Sequence, residues 1–207
     1  MNKNFIITIG RQLGSGGRSI ANLLAEHYGI TAYDRKVIEM AAQESGLSAE
    51  FFENADEKKW HGFFSAIFSN RAAANALGSN ENYLSNDALF KMQSDTIRDL
   101  AERESCIFVG RCADYILREH PCHIKLFFTA DLADRISRIA QEKNITEAQA
   151  AELIEKTDRR RADYYNYYSG KTWGVAESYD LCINTSHLGF ERTTELLKEY
   201  IESRIKS

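Results

Sequence analysis

The sequence predicts an α/β fold, because short and continuously apolar segments alternate with amphipathic helical patterns. Five apolar segments are expected to be strands: 5–9, 30–33, 106–109, 124–128 and 181–183. Continuous hydrophobicity is typical of parallel strands that are covered on both faces. Because helical patterns separate these segments, we expect a three-layer sandwich around a five-stranded parallel sheet.

The helical segments are marked by apolar residues three or four positions apart, which lie on one face of a helix. The first such pattern is Ile20, Leu23, Leu24 and Tyr28. Equivalent patterns at 37–42, 89–100, 136–140 and 197–205 predict further helices. The 207 residues are therefore expected to form a single domain, 1–207.

Composition excludes several classes of function. With 26 basic and 30 acidic residues the net charge is −4, which argues against a broad nucleic-acid-binding surface. No apolar run is long enough to cross a membrane. The four cysteines form no C-x-x-C pair and have no zinc-site spacing with histidine. A reduced, cytoplasmic location is the simplest interpretation.

A long insertion at 45–86 interrupts the alternation of strands and helices. It contains several aromatic residues and ends in a polar run. An insertion of this length usually carries its own helices or works as a lid. Its aromatic residues fit a local core or a homodimer face better than a platform for stacking bases. Segment 45–86 is therefore expected to be a helical insertion that can support a homodimer.

A glycine-rich loop follows the first predicted strand and precedes the first predicted helix. Glycines let backbone N–H groups approach an anion, and the helix directs its positive end to the same place. This combination predicts a phosphate-binding loop. Its expected ligand-binding residues are Gly14, Ser15, Gly16, Gly17, Arg18 and Ser19.

The loop departs from the P-loop pattern G-x-x-x-x-G-K-[ST], since its lysine is missing in either register. In one register Arg18 stands at the lysine position. In the other, one residue back, Gly17 does. Arg18 has a guanidinium that suits phosphate oxygens, and the Ser19 hydroxyl suits Mg²⁺.

Basic residues gather where an α/β fold places its ligands, beyond the carboxyl ends of the strands. Besides Arg18 they include Arg35 after the second strand, Arg111 after the third, and the run 156–163. This run is expected to follow a helix and to precede a tyrosine-rich loop. Several arginines near one glycine loop indicate a substrate with more than one phosphate. Asp34 or Asp114 is placed to orient a metal or accept a proton, and spacing does not choose between them.

Five segments resemble the cytidylate-kinase-like family, a branch of the P-loop nucleoside monophosphate kinases. They are residues 7–18, 32–39, 108–117, 125–130 and 179–186. The similarity covers most of the chain and is weakest in the insertion. It implies a P-loop kinase-like core, ATP and Mg²⁺ as cofactors, and small-molecule nucleotides as substrates.

The resemblance also implies roles for single residues. Residues 14–19 would hold the phosphates of ATP, with Arg18 as the catalytic cation. Gly110, Arg111 and Arg35 would hold the phosphate of the acceptor. Asp34 would lie near its sugar or base, and Asp114 would be a further substrate-binding residue.

A lid at about residues 155–175 is implied as well. Its Arg159 and Arg160 would act on the transferring phosphate, and its Asp163 would bind substrate. The family's Gly-Arg-Asp triplet reads Gly110-Arg111-Cys112 here.

Three functions remain open on the sequence. The first is ATP-dependent phosphoryl transfer to a nucleoside monophosphate such as cytidylate. The second is a small-molecule kinase with a different acceptor. The third is a nucleotide-binding sensor without catalysis, which the missing lysine would explain.

Overall fold

The computed structural model describes residues 4–34 and 86–206. Five parallel strands form one sheet in the order β2-β3-β1-β4-β5. Their bounds are β1 Ile6–Arg11, β2 Thr31–Tyr33, β3 Cys106–Val109, β4 His123–Thr129 and β5 Leu181–Asn184. The central strand β1 pairs with β3 on one side and with β4 on the other. Because all strands are parallel, their carboxyl ends and the loops that follow them meet at one edge.

The helices of the described residues occur between and after these strands. Their bounds are α1 Gly17–Tyr28, α2 Asn86–Arg103, α3 Ala113–Ile116, α4 Leu132–Lys143, α5 Glu147–Ser169 and α6 Thr185–Ile205. Helix α6 is broken at Gly189, whose φ of 71° and ψ of 179° are not helical. A short 3₁₀ turn, Ala176–Ser178, precedes β5.

The main apolar core lies between the sheet and the pair α1 and α6. These helices pack against each other and against the strands. Ile7 and Ile9 of β1 and Leu126 of β4 are almost fully buried there, with Leu24 of α1 and Leu197 of α6. A second, smaller cluster joins α4 to α5. Burial of β1 on both faces therefore fixes the start of the glycine loop at its end.

The predicted α/β class with five parallel strands is confirmed. The strand centres agree with the predictions, and the ends differ by one or two residues. One prediction was wrong: the tyrosine-rich segment after 163 is not a loop but part of α5, which continues to Ser169. Of the insertion 45–86, only Asn86 lies among the described residues.

The chain divides into two compact units. One comprises Met1–Arg35 with Ile97–Ser207, and it contains the sheet. The other is Lys36–Thr96, of which residues 86–96 are described. No helix in the described parts of the chain has the length and apolar character needed to span a membrane.

Candidate active site

The loop between β1 and α1 needs glycine at two positions. Gly14 and Gly16 have φ angles of 81° and 79°, a region that side chains disfavour. A Cβ atom on Gly14 would lie 2.9 Å from the carbonyl oxygen of Arg135. A Cβ atom on Gly16 would overlap the ring of Phe190. The loop is therefore held in shape by helices α4 and α6 packed against it.

Helix α1 begins directly after this loop with an open N-terminus. Gly16 is the N-cap, and within the described residues no side chain caps the first turn. The free N–H groups and the helix dipole make this end attractive to an anion. The loop therefore has the form expected for residues 14–19 as a phosphate-binding segment.

The two serines of the loop differ in position. Ser15 is fully buried, and its hydroxyl donates a hydrogen bond to the Gln12 carbonyl at 2.8 Å. Thr185 donates a hydrogen bond to the Ser15 carbonyl, also at 2.8 Å. The Ser15 side chain thus supports the loop from inside. Ser19 lies on the exposed first turn of α1.

The described residues fit Mg²⁺ bound mainly through a nucleotide. In kinases this ion keeps several waters and is held by few protein groups together with substrate phosphates. Within residues 4–34 and 86–206 no cluster of three or more His, Cys, Asp or Glu side chains could hold a metal alone. The exposed hydroxyl of Ser19 is suitable as the protein ligand.

An ion pair from α4 and α5 fastens the outer side of the loop. The Leu13 amide donates to Asp158 Oδ1 at 2.8 Å. Arg135 donates to Asp158 Oδ2 at 2.5 Å and to the Leu13 carbonyl at 3.3 Å. The Arg135 and Asp158 side chains are only 10% and 15% exposed. Both backbone groups of Leu13 are therefore bound by one nearly dry ion pair.

Two further guanidiniums bind loop carbonyls. Arg138 of α4 donates to the Gly14 carbonyl at 3.1 Å, and its guanidinium lies 5.0 Å from the centre of the Phe190 ring. Arg161 of α5 donates to the Arg11 carbonyl at 2.9 Å. Hydrogen bonds from charged donors reduce the negative potential of these carbonyls. The loop is therefore less repulsive to an incoming phosphate.

Arg11, the last residue of β1, extends its side chain from the loop toward β3. A Cβ atom on Gly17 would lie 2.8 Å from Arg11 Cβ and 3.1 Å from Arg11 Cγ. A Cβ atom on Gly110 would overlap the Arg11 guanidinium. The side chain thus runs from the start of α1 to the residue that follows β3. Glycine on both sides makes room for it.

The Arg11 guanidinium lies in a strongly positive environment. Burial, followed by the charges of Arg161, Arg111 and Arg18, lowers the pKa of Arg11 to about 9, and Asp34 opposes this. Among the described residues its guanidinium makes no hydrogen bond or ion pair within bonding distance. Mutual repulsion of this kind is relieved by a bound anion.

The turn after β3 has an unusual backbone. Gly110, Arg111 and Cys112 have φ angles of 81°, 62° and 56°, so two residues with side chains are left-handed. Each of these costs roughly 1–2 kcal/mol. Arg111 lies over the ring of Tyr164 at 5.1 Å. The turn brings the predicted residues Gly110 and Arg111 to the sheet edge that carries the glycine loop.

Arg18 and Asp34 meet at this edge. Their side chains form an ion pair at 2.7 Å, with Arg18 73% exposed and Asp34 20% exposed. Arg18 lies on the exposed first turn of α1, whereas the Arg11 side chain lies against Gly17 and Gly110. The structure thus brings together Arg18, Asp34, Arg111 and Arg11.

Asp114 connects α3 to α5. Tyr165 donates a hydrogen bond to Asp114 Oδ2 at 2.7 Å. Burial raises the pKa of Asp114, while the Tyr165 hydrogen bond and the amides at the start of α3 oppose the change. Burial and the Asp114 charge raise the pKa of Tyr165. Asp114 therefore supports the helix that carries Tyr164, the residue under Arg111.

The predicted lid residues lie on α5. Arg159, Arg160 and Asp163 are exposed, and their roles at a phosphate remain predictions. Arg35 lies outside the described residues, so its predicted role is untouched.

Sequence reasoning missed three residues of this site: Arg11, Asp158 and Arg161. Arg11 had a signal. In the register that puts Gly17 at the lysine position, Arg11 occupies the first glycine of the P-loop pattern.

The comparisons with known proteins agree with this architecture. A cytidylate kinase from Methanopyrus kandleri is 25% identical over 206 residues, covering 95% of this chain and 93% of the relative. A cytidylate kinase from Thermococcus kodakarensis is 23% identical, covering 95% and 88%.

Solved structures show the same fold. An uncharacterized protein from Eubacterium ventriosum has a TM-score of 0.73 at 27% identity, with 97% of this chain and 99% of that chain covered. A shikimate kinase from Bacteroides thetaiotaomicron has a TM-score of 0.53 at 11% identity, with 96% and 98% covered. The model of the cytidylate kinase-like family matches residues 6–187. With nearly all of its length matched, from β1 through the start of α6, the chain belongs to the cytidylate kinase-like family.

Proposed function

We propose that this protein transfers a phosphoryl group from Mg·ATP to cytidine monophosphate or a similar nucleoside monophosphate. The observation that carries the proposal is the group of guanidiniums around the glycine loop, formed by Arg11, Arg18, Arg111 and Arg161. Burial and then repulsion from the other three lower the pKa of Arg11, so the site favours a ligand with several negative charges. Two phosphorylated substrates supply such charge.

The glycine loop is the site for the donor. The open start of α1 offers N–H groups to the phosphates of ATP. Ser19 would provide a hydroxyl to Mg²⁺, whose chemistry is to bridge the phosphates and neutralise charge as it develops. Arg135 and Asp158 keep the loop in this form by binding both backbone groups of Leu13.

The turn after β3 is the site for the acceptor. Arg111 is held there by a left-handed backbone and by Tyr164. Its guanidinium suits the monophosphate in a bidentate contact. Asp34 follows the neighbouring strand β2, is 20% exposed and paired with Arg18, and is proposed to bind the sugar or base. Arg35 is expected to contribute to the same phosphate.

In the proposed reaction an oxygen of the acceptor's phosphate attacks the γ-phosphorus of ATP. The bond from that phosphorus to the bridging oxygen breaks, and ADP leaves with the electron pair. The chain aligns the two phosphates and neutralises the transferring group, which is the main protein contribution in such reactions. Arg159 and Arg160, the predicted lid arginines, would add positive charge for the transferring phosphate.

The test is an ADP-release assay with Mg·ATP and a panel of nucleoside monophosphates beside a reaction without acceptor. Acceptor-dependent release with cytidine monophosphate preferred is expected, because cytidylate kinases are among the relatives. Release that is independent of acceptor, or equal for all of them, would contradict the specificity. An active panel with another preferred member would identify a kinase with a different acceptor.

Arg111→Ala tests the acceptor site. It should weaken acceptor binding by about 1.5–3 kcal/mol, the range of hydrogen bonds to charged groups, while ATP affinity stays unchanged. Arg192→Ala is a matched control, since Arg192 is an exposed arginine paired with Glu195 on α6. Equal losses for both substrates in Arg111→Ala would contradict the assignment.

One observation favours a second function, a nucleotide sensor without catalysis. The lysine position of the P-loop pattern holds Arg18 in one register and Gly17 in the other, and no lysine lies in the loop. Calorimetry separates the two functions: tight ATP binding without turnover for any acceptor supports the sensor.

The four cysteines are free, as in proteins of reducing compartments, and we place either function in the cytoplasm.

A further inference from the structure

We infer that Arg11 supplies the phosphate-binding cation that the lysine provides in the P-loop pattern, so the cation has moved from position 17 to position 11. This inference deepens the proposed function and rests on it for the identity of ATP. It assigns to Arg11 contact with the phosphates of the donor, and it gives Gly17 and Gly110 the role of making room for its side chain.

The two positions exclude each other sterically. In the register that puts position 17 at the lysine, Arg11 occupies the first glycine of the pattern and Gly17 occupies the lysine position. Any side chain at 17 would begin 2.8 Å from Arg11 Cβ and 3.1 Å from Cγ, closer than real side chains pack. A lysine at 17 is thus incompatible with Arg11 in this position. An arginine at 11 therefore needs glycine at 17.

The Arg11 side chain also reaches from the proposed donor site to the proposed acceptor site. Its aliphatic part lies against the start of α1, and its charged end lies at Gly110. Gly110 follows β3 and precedes Arg111, the proposed acceptor residue. Arg11 therefore extends from the proposed donor loop to the proposed acceptor turn.

Charge and burial make Arg11 a better anion ligand than Arg18. Arg18 is 73% exposed and already paired with Asp34. Arg11 is more buried, lies near three other guanidiniums, and its pKa is lowered by that burial and repulsion. A partly desolvated cation without its own carboxylate gains more from a bound phosphate than a solvated, paired one.

The experiment is a double-mutant cycle at positions 11 and 17. The single variants Arg11→Gly and Gly17→Lys are measured separately and then together in a double variant. The double variant restores the pattern G-x-x-x-x-G-K. Calorimetry gives affinity for Mg·ATP and for inorganic tripolyphosphate, and ADP release gives turnover. Circular dichroism and thermal unfolding verify that each variant is folded.

We expect Arg11→Gly to lose at least about tenfold in affinity for both ligands and about 10²–10³-fold in turnover. Gly17→Lys alone should lose as much, because its side chain meets Arg11. The double variant should recover to within about tenfold of the wild type, a strongly non-additive result. Arg11→Lys should retain more affinity than Arg11→Met, because it keeps a charge.

Several results would overturn the inference. One is an Arg11→Gly variant with tripolyphosphate affinity within twofold of wild type; another is a folded double variant no better than its single variants. A larger affinity loss in Arg18→Ala than in Arg11→Gly would assign the cation to Arg18 instead. A wild-type protein that does not bind tripolyphosphate would also overturn the inference. If tripolyphosphate binding depends on Arg11 but no monophosphate is phosphorylated, the proposed function fails and the inference stands.

Arg192→Ala is again the matched control, because it removes an arginine from an exposed ion pair on α6. It should leave tripolyphosphate affinity and turnover unchanged. A loss in this control equal to that of Arg11→Gly would show that any arginine removal lowers affinity through net charge alone, and would overturn the inference.

Discussion

Asp158 holds the glycine loop to α4 and α5, and its removal should destabilise the protein strongly. Its carboxylate accepts hydrogen bonds from the Leu13 amide at 2.8 Å and from Arg135 at 2.5 Å. Arg161 lies 3.6 Å away. Asp158→Ala removes the acceptor of all these contacts. It leaves the guanidiniums of Arg135 and Arg161, which are 10% and 24% exposed, without their carboxylate.

The expected loss follows from burial. Arg135 is 10% exposed, and a buried charge that loses its partner costs about 3–5 kcal/mol. The orphaned Leu13 amide alone would cost about 1–3 kcal/mol. Arg135 keeps its bond to the Leu13 carbonyl, so we expect a total near the lower values, about 3–4 kcal/mol. For a chain of this size that corresponds to a fall in Tm of roughly 6–16 °C.

Urea unfolding followed by circular dichroism measures this loss. Asp158→Asn keeps an acceptor for the Leu13 amide and should be less destabilised than Asp158→Ala by about 1 kcal/mol. Glu195→Ala is the control, since it breaks an exposed ion pair with Arg192 and should cost no more than about 1 kcal/mol. A loss below about 1 kcal/mol in Asp158→Ala would refute the idea that the ion pair is desolvated.

Three further predictions concern stability. Burial lowers the pKa of His123 to about 4, below its unfolded value, so the contribution of His123 to stability is complete above about pH 6.5 and is lost as the pH falls toward 4. The loss at about pH 4.5 should be roughly 2–3 kcal/mol. If His123→Gln had the same acid unfolding profile as the wild type, this assignment would be contradicted. Gly16→Ala should lower stability by about 1–3 kcal/mol because its Cβ overlaps the Phe190 ring, and thermal unfolding of this variant with and without Phe190→Leu checks whether the smaller side chain restores part of the loss. Tyr165→Phe removes the hydrogen bond to Asp114 and should cost about 1.5–3 kcal/mol in urea unfolding, with a loss under about 0.5 kcal/mol counting against that bond.

The fold was predictable because its signal is local. Each strand has a short and mainly apolar segment, and the helices between them have clear apolar faces. The exception was α5, because its tyrosines after residue 163 are too closely spaced to mark one apolar helix face. Its ends do carry local signals: a capping box between Thr146 and Gln149, and Gly170 as the C-cap.

The site was predictable in place but only partly in its residues. Loops at the carboxyl ends of parallel strands meet, which located Asp34 and Gly110. To predict which arginine of α5 contacts the loop, one has to know which face of the helix each arginine lies on. Ile154, Asp158 and Arg161 are four and three residues apart and share a face, and Ile154 is buried. That face points to the loop, which explains why Arg161, and not its two neighbours, binds the Arg11 carbonyl.

The pattern marks Arg11 only as a departure from glycine and not as a cation site, because a pattern compares residues by position and a phosphate responds to charge in space. Arg11 is the last residue of β1, before the loop, and its side chain still passes beside Gly17. Its length carries the guanidinium to Gly110, where a side chain would overlap it. Two apparent defects of the loop, an arginine for a glycine and a glycine for a lysine, thus compensate each other sterically. A missing lysine therefore counts as loss of a phosphate-binding cation only after the space around position 17 has been checked for another one.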